Sequence, residues 1–537
     1  MKRPKRLAAI FIFGIVLLST LGILFTPKLF ADLQGLTRQQ IKKFMSVVQL
    51  VQIYYVEPVE WDKTIEGAIS GMLEKLDPHS VYIPAEKMKE VKENFSAKFE
   101  GIGIQFDVID GYLTVIAPIE GSPSDRLGIR SGDRIIKING KSAIGITREE
   151  VIKKLRGPKG TTVKVTILRE GLEEPLEFTI VRDVIPIRTV TTRFMVDDST
   201  GYIKVNRFAA TTSEEVEEAL VELERQNMKR LILDLRNNPG GYLHEAVKLA
   251  GKFIPGHRLI VYTQGRSGKI EDEYYSDQFG RRLVRTYPLI VLIDRGSASA
   301  SEIVAGAIQD YDRGLIVGTN SFGKGLVQKE FALNDGSAVR ITTAKYYIPS
   351  GRCIQRDYKG KSLQEYYSEL NDTTAVDTLA KEDRPLYYTK GGRPVYGGGG
   401  IHPDVVIKES YFTYRMTPSV SKLFQKRMFF VYAAEYAARH KDLGRTTLRK
   451  FQQTFQVDDA LLNDFLEYCR KKDLKLKPED LEKDREFMKV QLKAELAREF
   501  WGNDGYYYVI LHWDKQFTSA LKLFNRAEKL AHLNKYE

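Results

Sequence analysis

The pattern of apolar and polar positions changes several times along the chain. Residues 33–75 place apolar side chains at helical spacing, which predicts amphipathic helices. Residues 99–182 form short β-patterned runs separated by Gly and Pro, and residues 190–350 alternate strand and helix patterns, which is typical of an α/β domain. Residues 356–400 are predicted to form a long loop. Helical periodicity returns from 415 to 535.

The beginning of the chain combines basic charge with a long apolar run. Four basic residues precede an uncharged stretch, 7–25, that would measure about 28 Å as a helix, close to a bilayer's hydrocarbon thickness. We favour an uncleaved membrane anchor over a cleaved signal peptide, because a bulky Leu29 stands where a small residue is preferred before cleavage. A buried soluble helix is the third interpretation. The preceding positive charge predicts a cytoplasmic N-terminus and export of everything after about residue 30.

The segment 99–183 carries the turn and strand signals of a small β module. Gly132-Asp133 predicts a turn, Asn139-Gly140 is a strong hairpin signal, and Thr147 with Glu150 predicts a capping box. Upstream, a glycine loop leads into a strand predicted over 102–106. Over about eighty residues this segment resembles a PDZ domain.

A PDZ fold would bind an extended peptide along one strand edge. The glycine loop would present backbone N–H groups to a terminal carboxylate, and the groove would lie between strand 102–106 and helix 147–155. The alternative is that its apolar residues are ordinary core. The candidate peptide-binding residues are Gly101, Ile102, Gly103, Ile104, Val151 and Leu155.

Two strand-to-helix turns in the α/β segment carry candidate chemistry. The strand 231–235 runs into Arg236-Asn237-Asn238-Pro239-Gly240-Gly241, whose glycines leave N–H groups unblocked for an anion or a developing oxyanion. The strand 289–293 is followed by Ser297, Ser299 and Ser301. Ser299 and Glu302 have capping-box spacing, and taken alone this segment favours a helix cap over a nucleophile.

A lysine between two glycines changes that balance. Lys324 lies in a loop flanked by buried strand patterns. Most lysines are solvated, but a desolvated lysine holds its proton less firmly and can act as a general base. Ser–Lys pairs are a known variant of serine-nucleophile catalysis.

Three ordered motifs, DLRNNPGG (234–241), SASASEIVAG (297–306) and SFGKGLVQ (321–328), together resemble the carboxyl-terminal processing peptidases, or tail-specific proteases. The segments 76–80 and 400–404 are also similar to that family, so the resemblance spans roughly 40–410. It implies Ser299 as nucleophile, Lys324 as general base and Gln328 as the residue that orients the lysine. It further implies Ala300 and, less specifically, Gly240 or Gly241 as oxyanion donors.

The resemblance also implies a multidomain α/β architecture in which a PDZ module precedes a crotonase/ClpP-like serine peptidase core. The expected regions are an anchor or signal segment (1–30), N-terminal helices (33–98), the PDZ domain (99–183), the peptidase core (184–410) and a C-terminal helical extension (411–537). Acyl transfer by a Ser–Lys dyad needs no metal or cofactor. Four positions separate Lys324 from Gln328, about 13 Å along a straight strand, so we predict a bend between Gly323 and Gln328.

The amino-acid composition excludes some classes of protein and binding site. Only Cys353 and Cys469 are present, which excludes a disulfide scaffold and a CxxC zinc site. A net charge of +12 raises the question of nucleic acid, but residues 411–537 hold 24 Lys and Arg against 18 Asp and Glu. We interpret this region as a helical packing or oligomerisation domain with a solvated face, and favour dimerisation through it, rather than as a nucleic-acid-binding domain.

The predicted function is therefore a serine endopeptidase of the cell envelope that acts on proteins with accessible C-termini. Its bulk would lie on the periplasmic or extracytoplasmic side. The alternative is a non-catalytic PDZ scaffold on a peptidase fold, which the intact Ser299, Lys324 and Gln328 disfavour. A regulated protease that is active only when a partner aligns the dyad is compatible with the first hypothesis.

Overall fold

A computed structural model of the protein describes residues 37–280, 283–369 and 384–532. The predicted anchor, 7–25, lies outside these residues. The chain divides into two units, 1–75 and 76–537. The first contains helices α1 (Thr37–Tyr54) and α2 (Trp61–Glu74), as the helical spacing predicted. Within the described residues, no helix is long and apolar enough to cross a bilayer.

The second unit begins with β1 (Val81–Ile83), α3 (Ala85–Ser96) and β2 (Lys98–Gly101) and continues into the PDZ-like segment. That segment contains β3 (Ile104–Ile109), β4 (Tyr112–Pro118), α4 (Pro123–Arg126), β5 (Arg134–Ile138), β6 (Lys141–Ser142), α5 (Arg148–Leu155), β7 (Thr162–Leu168) and β8 (Leu176–Val181). Five of its strands form a sheet in the order β3-β4-β5-β7-β8, and β6 pairs with β5. A strand β9 (Asp183–Pro186) then pairs with β2 and joins the ends of the module.

The predicted strand over 102–106 is wrong in its bounds. The chain leaves one strand at Gly101 and enters the next at Ile104. Gly103 between them has φ +79°, and a Cβ there would lie 2.2 Å from the Ser122 Cβ. The left-handed glycine therefore interrupts the strand.

The α/β segment contains a six-stranded sheet in the order β10-β11-β12-β15-β16-β21. Only the edge pair β10–β11 is antiparallel. The elements in chain order are β10 (Val190–Met195), β11 (Thr200–Val205), α6 (Thr212–Arg225), β12 (Arg230–Asp234), α7 (Leu243–Ala250), β13 (Leu259–Gly265), β14 (Ile270–Tyr275), β15 (Leu289–Ile293), α8 (Ala300–Asp310), β16 (Leu315–Gly318), β17 (Leu326–Ala332), β18 (Ala338–Tyr347), α9 (Leu363–Ser368), β19 (Leu386–Tyr388), β20 (Pro394–Tyr396) and β21 (Val405–Val406).

A second sheet contains β1, β18, β13 and β14 in that order, and β17 also pairs with β18. The loop that carries Lys324 leads directly into β17. The stretch 356–400 differs from the predicted long loop, because its described part contains α9 and the hairpin β19–β20. The helix begins at a capping box formed by Ser362 and Glu365, a signal that the glycine- and tyrosine-rich composition obscured.

The tail is helical, as predicted, and consists of α10 (Pro418–Gln425), α11 (Met428–Arg439), α12 (Leu448–Thr454), α13 (Asp459–Lys471), α14 (Pro478–Lys483), α15 (Arg485–Trp513), α16 (Lys515–Leu521) and α17 (Phe524–His532), with short 3₁₀ turns at Tyr411–Thr413 and Lys441–Arg445. Non-helical backbone angles at Trp501 and Gly502 break α15. The tail shares one apolar cluster with strand residues such as Tyr202, Ile232 and Leu292, whereas α6, α7 and α8 share another cluster with Leu231, Leu233 and Val291. The six-stranded sheet is thus covered on both faces.

Candidate active site

Ser299 lies at a sharp corner between β15 and α8. Its backbone angles are φ 54° and ψ −112°, a region that serine rarely occupies. Such strained angles are characteristic of functional corners, and a strand–turn–helix geometry exposes the residue at the end of the sheet. The next residue, Ala300, opens the helix.

Lys324 is half-buried in the loop before β17. Burial lowers the pKa of its ammonium group, and the positive charge of Arg340 lowers it further. The Lys324 Nζ donates to the Gln328 Oε1 at 2.8 Å. The predicted bend is present, because Lys324 precedes the strand and a register shift separates Val327 from Gln328.

Gln328 is itself held from a distant part of the chain. Its Nε2 donates to the main-chain carbonyl of His79. The Asp77 carboxylate in turn accepts from the backbone N–H groups of His79 and Ser80 at 2.8 and 2.9 Å. Burial lowers the pKa of the His79 imidazole to about 4, with Lys324 contributing in the same direction. A buried segment that contains the Asp77 carboxylate and an uncharged His79 imidazole therefore fixes the far side of the lysine's partner.

Two groups bring the serine corner and the lysine loop together. The Tyr346 hydroxyl contacts the Ser299 carbonyl at 3.2 Å and also the Lys324 carbonyl. The Glu302 carboxylate accepts from the N–H of Ser299 at 2.8 Å and from that of Lys324 at 2.9 Å. Ser299 and Lys324 are thus tied through shared partners although 25 positions separate them in the sequence.

Glu302 is completely buried, and its remaining partners come from the same lysine loop. It accepts from the Gly323 N–H at 2.7 Å and from the Ser321 hydroxyl at 2.5 Å. Burial raises the pKa of this carboxyl to about 7, although all four hydrogen bonds act in the opposite direction. Glu302 is therefore more than a helix cap, because it joins two loops.

The Gly240–Gly241 turn lies directly against the serine. Gly240 has φ +90°, and a Cβ on it would lie 2.8 Å from both the Ala300 nitrogen and the Ser299 Cβ. Its N–H donates to the Asn238 Oδ1 at 2.9 Å, and Gly241 forms a parallel β-bridge with Phe208. The predicted oxyanion residues are therefore adjacent in space.

The predicted groove residues of the PDZ module are buried. Ile102, Ile104, Val151 and Leu155 all belong to its apolar core. The strand that begins at Ile104 is nevertheless an edge strand, and the first residue of α5, Arg148, contacts the carbonyl of Phe106 on it at 3.4 Å. Among the residues that the structure describes, α5 thus lies beside a strand edge that pairs with no further strand.

Sequence reasoning missed several residues that support the site. Glu302 was interpreted as a helix cap, and no role was predicted for His79, Tyr346, Asp234 or Arg236. Capping-box spacing was a signal for Glu302, but its additional donors are 19 to 22 positions away. The two cysteines are both free.

Comparison with known proteins gives the class. A family model described as peptidase family S41 matches residues 199–361, and a PDZ model matches 114–169. The N-terminal domain of the activating protease CtpB matches 29–87, and a family of unknown function matches 419–502. The fold and these matches define an α/β serine peptidase that carries a PDZ domain.

The relatives give the family. A carboxy-terminal-processing protease of Bartonella bacilliformis is 39% identical over 64% of this chain and 79% of its own length. The processing protease CtpA of Bacillus subtilis is 37% identical over 58% of this chain and 66% of its own. A solved photosystem II D1 C-terminal processing protease shows 26% identity and a TM-score of 0.35, covering 68% of this chain and 86% of that one. The chain belongs to the carboxy-terminal processing protease family.

Proposed function

We propose that the protein is an endopeptidase that cleaves protein substrates with a Ser299–Lys324 dyad. The observation that carries this proposal is the contact of Lys324 with Gln328 at 2.8 Å in a half-buried loop tied to the Ser299 corner by Tyr346 and Glu302. A lysine with a lowered pKa, in a loop joined to the strained serine corner through Glu302 and Tyr346, is suited to remove the serine's proton.

In this mechanism neutral Lys324 accepts the Ser299 proton as the hydroxyl oxygen attacks the substrate carbonyl. The Ala300 N–H and the Gly241 N–H stabilise the tetrahedral oxyanion, since the Gly240 N–H already donates to the Asn238 Oδ1. One such donor is worth about 3 kcal/mol. Protonated Lys324 then gives its proton to the leaving amine. Water hydrolyses the acyl-enzyme by the same exchange, with Gln328 holding the lysine in place.

The test compares Ser299→Ala with wild type on an unstructured protein substrate. We expect cleavage to fall at least about a thousandfold, as for the loss of other serine nucleophiles. Ser337→Ala is the matched control, because the Ser337 hydroxyl is also buried and donates to the Asp335 carboxylate at 2.6 Å rather than to the glycine turn. Equal cleavage by Ser299→Ala and wild type would defeat the assignment.

The same comparison applies to the base. Lys324→Ala should lose activity to a similar extent, whereas Lys329→Ala, an exposed lysine five positions further on, should not. A Lys324→Ala variant as active as Lys329→Ala would assign the base elsewhere.

We further propose that the PDZ module binds the C-terminus of the substrate along the free edge of β3 beside α5. That edge is unpaired within the sheet, which is what an added peptide strand requires. A peptide with a free terminal carboxylate should be cleaved faster than the same peptide with a terminal amide. Deletion of residues 99–182 should remove the difference, and equal rates in the full chain would make the module passive.

For location we propose that the segment 7–25 anchors the protein, with the peptidase on the extracytoplasmic side. The support is the basic, apolar sequence alone. Membrane fractionation of full-length protein and of a variant lacking residues 1–30 tests it. Recovery of both in the soluble fraction would exclude the anchor.

A further inference from the structure

The C-terminal helices form part of the support beneath the candidate active site. Arg236 follows β12 and immediately precedes the turn at residues 237–241 that contacts Ser299. Its side chain is completely buried. Two of its hydrogen-bond partners, Asp514 and Gln516, lie in the tail, more than 270 positions later.

Two residues of the tail bind the Arg236 guanidinium. The Nη1 donates to the Asp514 Oδ1 at 3.0 Å and to the Gln516 Oε1 at 2.9 Å. The opposite side of the guanidinium binds Asp234 through Nε at 3.0 Å and Nη2 at 2.7 Å. A planar guanidinium held from two sides in this way has little freedom to move.

The tail residues are themselves fixed. Asp514 caps α16 by accepting from the Phe517 N–H at 2.7 Å, and its other oxygen accepts from the Tyr411 N–H at 2.8 Å. Gln516 donates to the Ile407 carbonyl at 2.7 Å. The carboxylate that binds Arg236 is therefore positioned by both the tail helix and the segment that leaves the sheet.

The contact between Arg236 and Asp514 is important because both groups are charged and buried. Lys204, Asp234, Arg236 and Asp514 are all buried and are linked by ion pairs of 2.7 to 3.8 Å. The peptidase core contributes two of these cations and one carboxylate, and the second carboxylate comes from the tail. An uncompensated buried charge is strongly unfavourable, and Asp514 is one of the two carboxylates that form an ion pair with the Arg236 guanidinium.

The backbone of Arg236 is also held by this buried cluster. Arg236 donates its N–H to Asp234 at 2.9 Å, and its carbonyl accepts from the Lys204 Nζ at 3.0 Å. The next residues lead to Gly240, which contacts Ser299. We propose that Asp514 and Gln516 are positioning residues that hold Arg236 and thereby set the conformation of the 237–241 turn. Its catalytic consequence rests on the proposed function of Ser299.

The first test measures hydrogen–deuterium exchange of the segment 235–242 in the full chain. Asp514→Asn and Gln516→Ala should each speed its exchange about tenfold. The matched control is Tyr508→Phe, which removes another buried tail-to-core hydrogen bond, to the Val196 carbonyl at 3.1 Å, without touching Arg236. Its 235–242 segment should exchange as in wild type.

The second test measures kcat and KM on a peptide substrate. We expect kcat to fall tenfold or more in Asp514→Asn with KM changed less than twofold, because the turn acts on the transition state. Asp514→Glu keeps the negative charge that pairs with Arg236 and should lose less kcat than Asp514→Asn. A merely structural role predicts the reverse, because the longer glutamate disturbs packing more than the isosteric asparagine.

Wild-type exchange at 235–242 in Asp514→Asn would overturn the inference, as would an equal change in Tyr508→Phe. If Asp514→Asn does not fold, the exchange of 235–242 in Gln516→Ala, compared with wild type and with Tyr508→Phe, tests the inference in the same way. Activity retained by Ser299→Ala would refute the proposed nucleophile, and the exchange measurement would still decide the role of the tail.

Discussion

Two completely buried carboxylates lie behind the candidate site and are held in opposite ways. Asp234 faces the cations Arg236 and Lys204, which overcome the cost of burial and lower the pKa of its carboxyl to about 2. Glu302 is held by three backbone N–H groups and one hydroxyl, and burial raises the pKa of its carboxyl to about 7. One carboxylate carries a permanent charge, and the other can lose its charge near neutral pH.

The difference follows from what each carboxylate has beside it. Asp234 lies at the end of the strand that leads to the glycine turn, where fixed ion pairs give rigidity. Glu302 lies between Ser299 and Lys324, where its negative charge raises the pKa of the lysine and so opposes the general base. The four donors to Glu302 are uncharged, so they join the two loops without adding to the positive charge that Arg340 already contributes near Lys324.

The largest expected effect comes from Asp234→Asn. Removing one partner of a buried charge cluster leaves the others uncompensated, which costs about 3–5 kcal/mol of unfolding free energy. We expect a much lower midpoint of urea unfolding and little activity. The matched control is Asp198→Asn, which removes a highly exposed partner of Arg449 and should change stability by less than about 1 kcal/mol. Similar midpoints for the two variants would mean that the Asp234 cluster is not a source of rigidity.

Glu302→Gln should separate activity from stability. Each carboxylate oxygen accepts two hydrogen bonds, so an amide NH₂ in either orientation must face two donors. Losing buried hydrogen bonds costs about 1–3 kcal/mol of stability, less than for Asp234→Asn. Because the lost bonds tie Ser299 to Lys324, we expect kcat to fall at least tenfold, measured on a peptide substrate.

Ser321→Ala provides a milder version of the same change, because it removes only one of the four donors to Glu302. Its loss of kcat should be smaller than that of Glu302→Gln. If Glu302→Gln keeps wild-type kcat, the shared carboxylate does not align the two loops.

Much of the fold could be predicted because its signals are local. Helical spacing marked α1 and α2, the Thr147–Glu150 capping box marked α5, and strand–turn–helix runs marked the parallel sheet. Ordered motifs and the family resemblance identified Ser299, Lys324 and Gln328 as candidates, and the role implied for Gln328 together with its four-residue spacing from Lys324 predicted the bend. Each of these inferences needed only a short window of sequence.

The support of the site could not be predicted because it is made over long distances. Gln328 is held by the carbonyl of His79, 249 positions away, and Arg236 by Asp514, 278 positions away. Neither contact produces a recognisable pattern in the sequence. The partner of Gln328 is a backbone carbonyl, and Asp514 has the ordinary sequence signal of a helix cap. Only packing of the tail on the sheet reveals that a core arginine needs a partner there.

The smallest expected effect is a shift of the pH profile. The mechanism requires neutral Lys324, so kcat/KM should rise with pH through the pKa of that lysine. Arg340 lowers this pKa, and Arg340→Gln should therefore move the rising limb to higher pH. Because Arg340 is partly exposed and paired with Glu330, we expect a shift of less than about one pH unit.

Glu302→Gln should move the same limb the other way, since loss of a negative charge lowers the pKa of Lys324. The control is Arg230→Gln, which removes an arginine paired with Asp197 and should leave the limb in place. Initial rates of peptide cleavage from pH 5 to 10 measure all four proteins. Shifts of the same sign in Arg340→Gln and Glu302→Gln would show that the limb does not report Lys324, because the two substitutions change its surrounding charge in opposite directions.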